Sequence, residues 1–201
     1  GRRLRYSRAG GKDGRPVVTS LGADGAMGTE DDLTSDEYGD VSLSPESEWV
    51  GTDKRVQLGA VRVSVAKVLI DYVDLTVLGQ ESVSPEPMLQ IHLDIENVGS
   101  EEAVSYDGWG VAETDDAEHL AVLTDYTGRR LRRRRSTSAS RAKVQVVSTT
   151  LKLGQTISDV LVFEPVPGRP DFLRLRLPAA AFGGEGTICF QIPGEQIQKP
   201  Q

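Results

Sequence analysis

Four apolar residues at every second position, Leu89, Ile91, Leu93 and Ile95, alternate with Gln90, His92, Asp94 and Glu96. A period of two puts all four apolar side chains on one face of an extended strand, whereas a helix would scatter them around its circumference. A chain carrying such a strand must supply partners for its backbone and an apolar surface for its buried face. Asn97-Val98-Gly99-Ser100 then supplies a turn.

The same pattern recurs along the chain. Val61, Val63 and Val65 alternate with Arg62, Ser64 and Ala66, and a second apolar stretch covers residues 68–77. Further strands are read at residues 104–108, 121–125, 144–153, 157–164, 172–177 and 188–192. In the fourth of these Ile157, Asp159, Leu161 and Phe163 share one face. In the fifth Leu173, Leu175 and Leu177 point inward, with Arg174 and Arg176 outward. Glycine- and proline-bearing turns separate the runs, and no stretch combines helical period, caps and length; residues 178–182 make at most one short turn. The expectation is all-β: an antiparallel β-sandwich over residues 58–193, inside a domain that spans residues 54–201.

A chain of 201 residues allows that domain and a smaller appendage. Two strand candidates, residues 3–8 and 16–20, flank the turn Gly10-Gly11-Lys12-Asp13-Gly14 and read as a hairpin. From residue 16 to 50 there is no Lys or Arg but there are nine acids, among many Gly and Ser. Residues 34–53 are accordingly read as an acidic linker. The formal net charge of −7 argues against nucleic acid as a partner, which needs a cationic footprint. The single cysteine, Cys189, excludes an internal disulfide and a cysteine-rich zinc site. No apolar run is long enough to span a membrane as a helix. The chain begins at Gly1, so it is read as a trimmed fragment, with a membrane tether upstream left open.

Two family resemblances follow from particular motifs. The strand Leu89-Gln-Ile-His-Leu-Asp-Ile-Glu-Asn97-Val-Gly99, the hairpin Leu123-Thr-Asp-Tyr-Thr-Gly128 and the pair Asp159-Val-Leu-Val-Phe163-Glu164 and Leu173-Arg-Leu-Arg-Leu-Pro178 resemble immunoglobulin-like domains of bacterial secreted proteins and lipoproteins. Those domains often carry the label "telomeric repeat-binding factor 2-like". The resemblance implies an Ig-like sandwich at the cell envelope or outside it, and no activity. The segment Ser20-Leu-Gly-Ala-Asp24-Gly-Ala-Met-Gly-Thr29-Glu-Asp31-Asp32-Leu33 resembles the C-terminal calcium loop of type II secretion major pseudopilins. It implies a structural calcium ion held by Asp24, Asp31 and Asp32, with backbone carbonyls near Leu21 and Thr29, and a pilus-like assembly. Residues 1–33 are then a pseudopilin-like hairpin and calcium loop. Calcium takes six to eight oxygens in flexible geometry, and Gly22, Gly25 and Gly28 permit the wrapping such a loop needs. The alternative is a solvated linker. The chain departs from the pseudopilins in running on for a whole further domain.

The run Arg129-Arg130-Leu131-Arg132-Arg133-Arg134-Arg135 has two readings. One is a charged edge strand and loop, which blocks sheet-to-sheet association. The other is a site for a polyanion or glycan, and contact with the chain's own acidic segment would be a special case of it. Trp109 reads first as a core or interface tryptophan, given the area an indole buries, with a carbohydrate-stacking aromatic as the alternative. His92 and His119 have no partner at metal-ligand spacing, and Cys189 between Ile188 and Phe190 reads as a buried thiol. The serines of 136–140 lack a nucleophile setting, and Glu101-Glu102 and Asp115-Asp116 are loop carboxylates with no pocket to separate their pKa values. The expected function is a non-enzymatic, secreted or envelope interaction module with a calcium-stabilised segment, its partner a protein or an envelope component.

Overall fold

The computed structural model describes residues 4–7, 17–20, 33–34, 49–100, 103–111, 118–166 and 168–199. The chain divides into two units, Gly1–Glu46 and Ser47–Gln201. In the first, strands β1 (Leu4–Ser7), β2 (Val17–Ser20) and β3 (Leu33–Thr34) form an antiparallel sheet. β1 and β2 pair as the expected hairpin, Leu4 opposite Ser20 and Ser7 opposite Val17.

The second unit holds thirteen strands among its described residues. They are β4 (Val50–Gly51), β5 (Arg55–Leu58), β6 (Val61–Asp71), β7 (Asp74–Val77), β8 (Gln80–Val83), β9 (Met88–Asn97) and β10 (Ala103–Asp107). After these come β11 (Val122–Asp125), β12 (Ser140–Ala142), β13 (Ser148–Lys152), β14 (Thr156–Phe163), β15 (Phe172–Pro178) and β16 (Thr187–Pro193). Pairing starts at Val50, inside the stretch expected to be linker, because Val50 and Gly51 lie parallel to Phe190 and Gln191 of β16.

The alternating strand becomes β9, the centre of a sheet ordered β14-β9-β6-β5. Leu89, Ile91, Leu93 and Ile95 are fully buried, each contributing about 2 kcal/mol of burial. β6 faces them with Val61 and Val63, then changes phase: Val65 pairs with Leu93, but Lys67 pairs with His92. Ala66 is the extra residue of a β-bulge, and the bulge returns Val68 and Ile70 to the core side. Beyond the bulge β5 has ended, and the C-terminal segment takes its place beside β6: Gln198 donates to Val68 O and Ile70 N donates to Gln198 O.

The other large sheet is ordered β11-β15-β16-β4. Leu123, Leu173, Leu175, Leu177, Ile188, Phe190 and Ile192 point from it into the same core as the β9 residues. β10 and β13 pair separately and add Tyr106 and Leu151. The β14 residues Val160 and Val162 face away from that core, into a second cluster with Val73, Leu75 and Ala142 under the small sheet β12-β7-β8. The architecture is thus all-β, with several antiparallel sheets and one parallel strand pair. Of the stretch expected as a strand at 144–153, Ser148–Lys152 pairs as β13; the short turn at 178–182 is a 3-10 helix at Ala179–Phe182.

Candidate functional site

Asp125 ends β11 and builds the turn that starts the arginine run. Its Oδ1 accepts from the backbone N–H of Thr127 at 2.9 Å, the Thr127 hydroxyl at 2.5 Å and the backbone N–H of Arg129 at 3.0 Å. Oδ2 accepts from Arg129 Nε at 3.1 Å. Partial burial pushes this carboxyl up, but the four hydrogen bonds outweigh it and hold the group below the usual carboxylate range. Gly128, at φ +86°, supplies the left-handed step that reverses the chain.

The returning segment then does two things in succession. It first lies along β11, where Leu131 N donates to Leu123 O at 2.8 Å and the Leu131 side chain enters the core. Two residues on, it lies along β14: Glu164 N donates to Arg132 O, and Arg134 N donates to Val162 O, both at 2.8 Å. β11 and β14 are edge strands of the two large sheets, so the run spans from one edge to the other. Arg129, Arg130, Arg132 and Arg135 are exposed, while Arg133 and Arg134 are half-buried. Arg134 donates to Ser136 Oγ at 3.2 Å, and its partial burial lowers its pKa without threatening a group that titrates so high. The charged-edge reading of this run and its anion-binding reading therefore concern the same rigidly held segment.

A second basic feature lies on the outer face of β15. The guanidinium of Arg174 stands 5.0 Å from the Trp49 ring centre and 5.1 Å from that of Phe172. Arg176 stands 5.5 Å from the Trp49 ring, and Tyr126 meets Phe172 edge-on at 6.5 Å. Tyr126, Phe172, Arg174, Trp49 and Arg176 thus form one continuous row of rings and guanidiniums. Register joins it to the run: Arg174 lies opposite Thr124 of β11, and Thr124 bridges to Arg130. Two strand spacings, about 10 Å, separate the two arginines. The alternation of 173–177 foretold that Arg174 and Arg176 face outward; that Trp49 reaches them depends on the parallel pairing of β4, which no local pattern announces.

The other sequence candidates fare differently. Asp24, Asp31, Asp32, Leu21 and Thr29 lie outside the described residues, as do Glu101, Glu102, Asp115 and Asp116. Among the described residues no group of three or more His, Cys, Asp or Glu is placed to hold a metal ion. Trp109 is the core tryptophan expected of it, not a platform for a glycan: it is fully buried, donates from Nε1 to Pro178 O at 2.9 Å and packs edge-on against Tyr106 and Phe182. Cys189 is buried, as expected. His92 is half-buried beside Lys67, and both burial and that charge lower its pKa, with Asp94 opposing.

One polar centre went unrecognised in the sequence. Asp159 is 1 % exposed on the core side of β14. It accepts from the Tyr106 hydroxyl at 2.6 Å, from Val146 N at 2.9 Å and from Val160 N at 2.7 Å. Burial raises its pKa to about 6 against these three donors, and burial together with the Asp159 charge raises the Tyr106 phenol well above its usual value. The signal was available: an acid on an otherwise apolar strand face.

No family model matches this chain, and no curated protein matches it. Two solved structures from Bacillus subtilis are similar to it. The yjhA protein is 16% identical with a TM-score of 0.46, covering 69% of this chain and 96% of its own. The ycdA protein, a candidate lipoprotein, is 14% identical with a TM-score of 0.47 over 73% of this chain, which spans 39% of its length.

Proposed function

We propose that the chain is a non-enzymatic interaction module of the cell envelope or the extracellular space, built on an Ig-like sandwich and making contact through the arginine edge. One observation carries this reading: the run 129–135 is fastened by main-chain hydrogen bonds to the edges of both large sheets while it presents exposed guanidiniums. A charged surface held this way loses little conformational freedom on binding. Two large sheets feeding one core support the sandwich, and the sequence resemblance at 89–99 supports the envelope setting. The partner is a protein or an envelope component. In the test, purified chain is sedimented with isolated bacterial envelopes. Arg132→Glu combined with Arg135→Glu is expected to abolish co-sedimentation, and undiminished co-sedimentation would remove the edge from the reading.

The same proposal includes a calcium-ordered, pseudopilin-like segment. Its support is the spacing of Gly22, Gly25 and Gly28 among Asp24, Asp31 and Asp32, which suits an oxygen-rich cage with carbonyls of Leu21 and Thr29. Calorimetry with calcium chloride is expected to show binding at millimolar concentration or below, lost in Asp24→Ala and in Asp31→Ala. A flat titration of the unaltered chain removes calcium from the proposal.

A further inference from the structure

We infer that the second unit carries a binding site for a small amphiphilic anion, a compact apolar body bearing one carboxylate or phosphate head, in a cavity that shares no residue with the arginine run. The cavity measures about 290 Å³, at the small end of the range for small-molecule sites. Ile70, Arg169, Pro170, Gly194, Ile197 and Lys199 line it. Three segments therefore converge there: β6 beyond its bulge, the loop that enters β15, and the chain that follows β16.

The floor is apolar because it belongs to the core. Ile197 is buried with the main cluster, and Ile70 packs against that cluster. Gly194 N donates to Asp171 O at 2.9 Å, and a Cβ at Gly194 would fall 1.7 Å from Pro170 O, so these two walls are set firmly against each other. The tail is fixed as well. Gln198 N donates to Val68 O at 3.0 Å and Ile70 N donates to Gln198 O at 2.8 Å, which lays the tail along β6. Alternation along this extended stretch puts Ile197 and Lys199 on one side and Gln198 on the other. Gln198, with Glu195 and Gln196, lines a separate and more polar cavity.

Two cations complete the lining. Arg169 Nε donates to Gly194 O at 3.4 Å, which anchors the guanidinium by one N–H and leaves its terminal nitrogens without a partner among the described residues. Neither Arg169 nor Lys199 forms an ion pair among the described residues. Asp171 and Glu195, the acids nearest to them in sequence, do not line this cavity. An anionic head can take a forked contact from Arg169 and a point charge from Lys199. The apolar body then displaces water from Ile70, Pro170 and Ile197. A neutral ligand of the same shape forfeits the first gain, and a bare anion forfeits the second.

The experiment titrates the full chain by calorimetry with octanoate, octyl phosphate, 1-octanol and acetate, each below any micelle-forming concentration. At least one octyl anion is expected to bind at about 1 mM or tighter, with 1-octanol and acetate about tenfold weaker or more. Octanoate alone identifies a carboxylate head, octyl phosphate alone a phosphate ester, and both together an oxyanion of either kind. Arg169→Gln and Lys199→Gln are each expected to weaken binding about tenfold. Both side chains are exposed, so both variants are expected to fold, as circular dichroism checks; should Arg169→Gln not fold, Lys199→Gln decides. Lys67→Gln removes the same charge from the neighbouring polar cavity and is expected to leave binding unchanged. The inference is overturned if neither octyl anion binds, if 1-octanol or acetate binds as tightly as they do, if a folded Arg169→Gln or Lys199→Gln chain binds undiminished, or if Lys67→Gln weakens binding equally.

Discussion

Asp159 occupies a position where the alternation of β14 calls for an apolar side chain, and it is retained there by three donors rather than by solvent. Removing one donor leaves a buried carboxylate underserved. Tyr106→Phe is therefore expected to destabilise the fold by about 1–3 kcal/mol, read as a lower urea midpoint. The pH dependence has a definite sign. The folded chain holds this proton up to about 6, whereas the ordinary value is 3.8, so between these pH values the native state binds more protons than the unfolded one. The contribution of Asp159 to stability is full at acidic pH and is lost as pH rises through that window, at up to about 1.4 kcal/mol per unit. Asp125 and Glu81 are held below the usual carboxylate range and follow the opposite trend, so the measurement is a difference: the stability of the native chain minus that of Asp159→Asn is expected to fall from pH 4 to pH 6, and a flat difference would contradict the assignment. The sequence placed Asp159 on the correct face without showing that it was sealed, because the seal comes from Tyr106, fifty-three residues away.

At the scale of elements, the strands that were legible are those whose two faces meet different surroundings. β9, β15 and β16 alternate cleanly because one face is core and the other is not. β8 and β12 were not legible: all four residues of β8 are exposed, and β12 is three residues long with Ala142 alone buried, too short to show an alternation. The β6 bulge was written in the sequence as a slip of phase, Val61, Val63 and Val65 against Val68 and Ile70. Its consequence is testable by deletion. Without Ala66 the apolar residues of β6 fall into unbroken alternation, so that deletion is expected to leave a folded chain. Deleting His92 from the unbulged β9 reverses one half of its core face and is expected to unfold it. Circular dichroism and thermal melting separate the two. Close approach gives a second contrast. A Cβ at Gly108 would fall 1.9 Å from Val146 O, which is backbone, while at Gly110 it would fall 2.2 Å from Gln145 Nε2, which can move. Gly108→Ala is expected to cost about 3 kcal/mol and Gly110→Ala about 1.

Over the second unit as a whole, the arrangement of sheets predicts where the backbone opens. β9 has partners on both sides and one face wholly inside the core, whereas β8 pairs on one side with β7 alone among the described residues. Amide exchange is expected to be slowest in β6, β9 and β14 and fastest in β8, and a protected β8 would show that this edge is covered. What the sequence could not supply at this scale is which distant strands lie side by side, since Val50 with Phe190 and Arg134 with Val162 are matters of topology rather than of local pattern. The arginine run shows why that topology matters for change over generations. Its main chain bonds to both sheet edges and Leu131 anchors it, so Leu131→Ala is expected to cost about 3 kcal/mol. Positions 130, 132 and 135 have exposed side chains, and at 130 and 132 the bonding to the sheet edges is done by the main chain, which any residue but proline supplies. Mutation can rewrite them while the scaffold stays folded, so that a change of ligand need not pass through an unstable intermediate. Randomising those three codons yields, in effect, a binding library on a fixed frame.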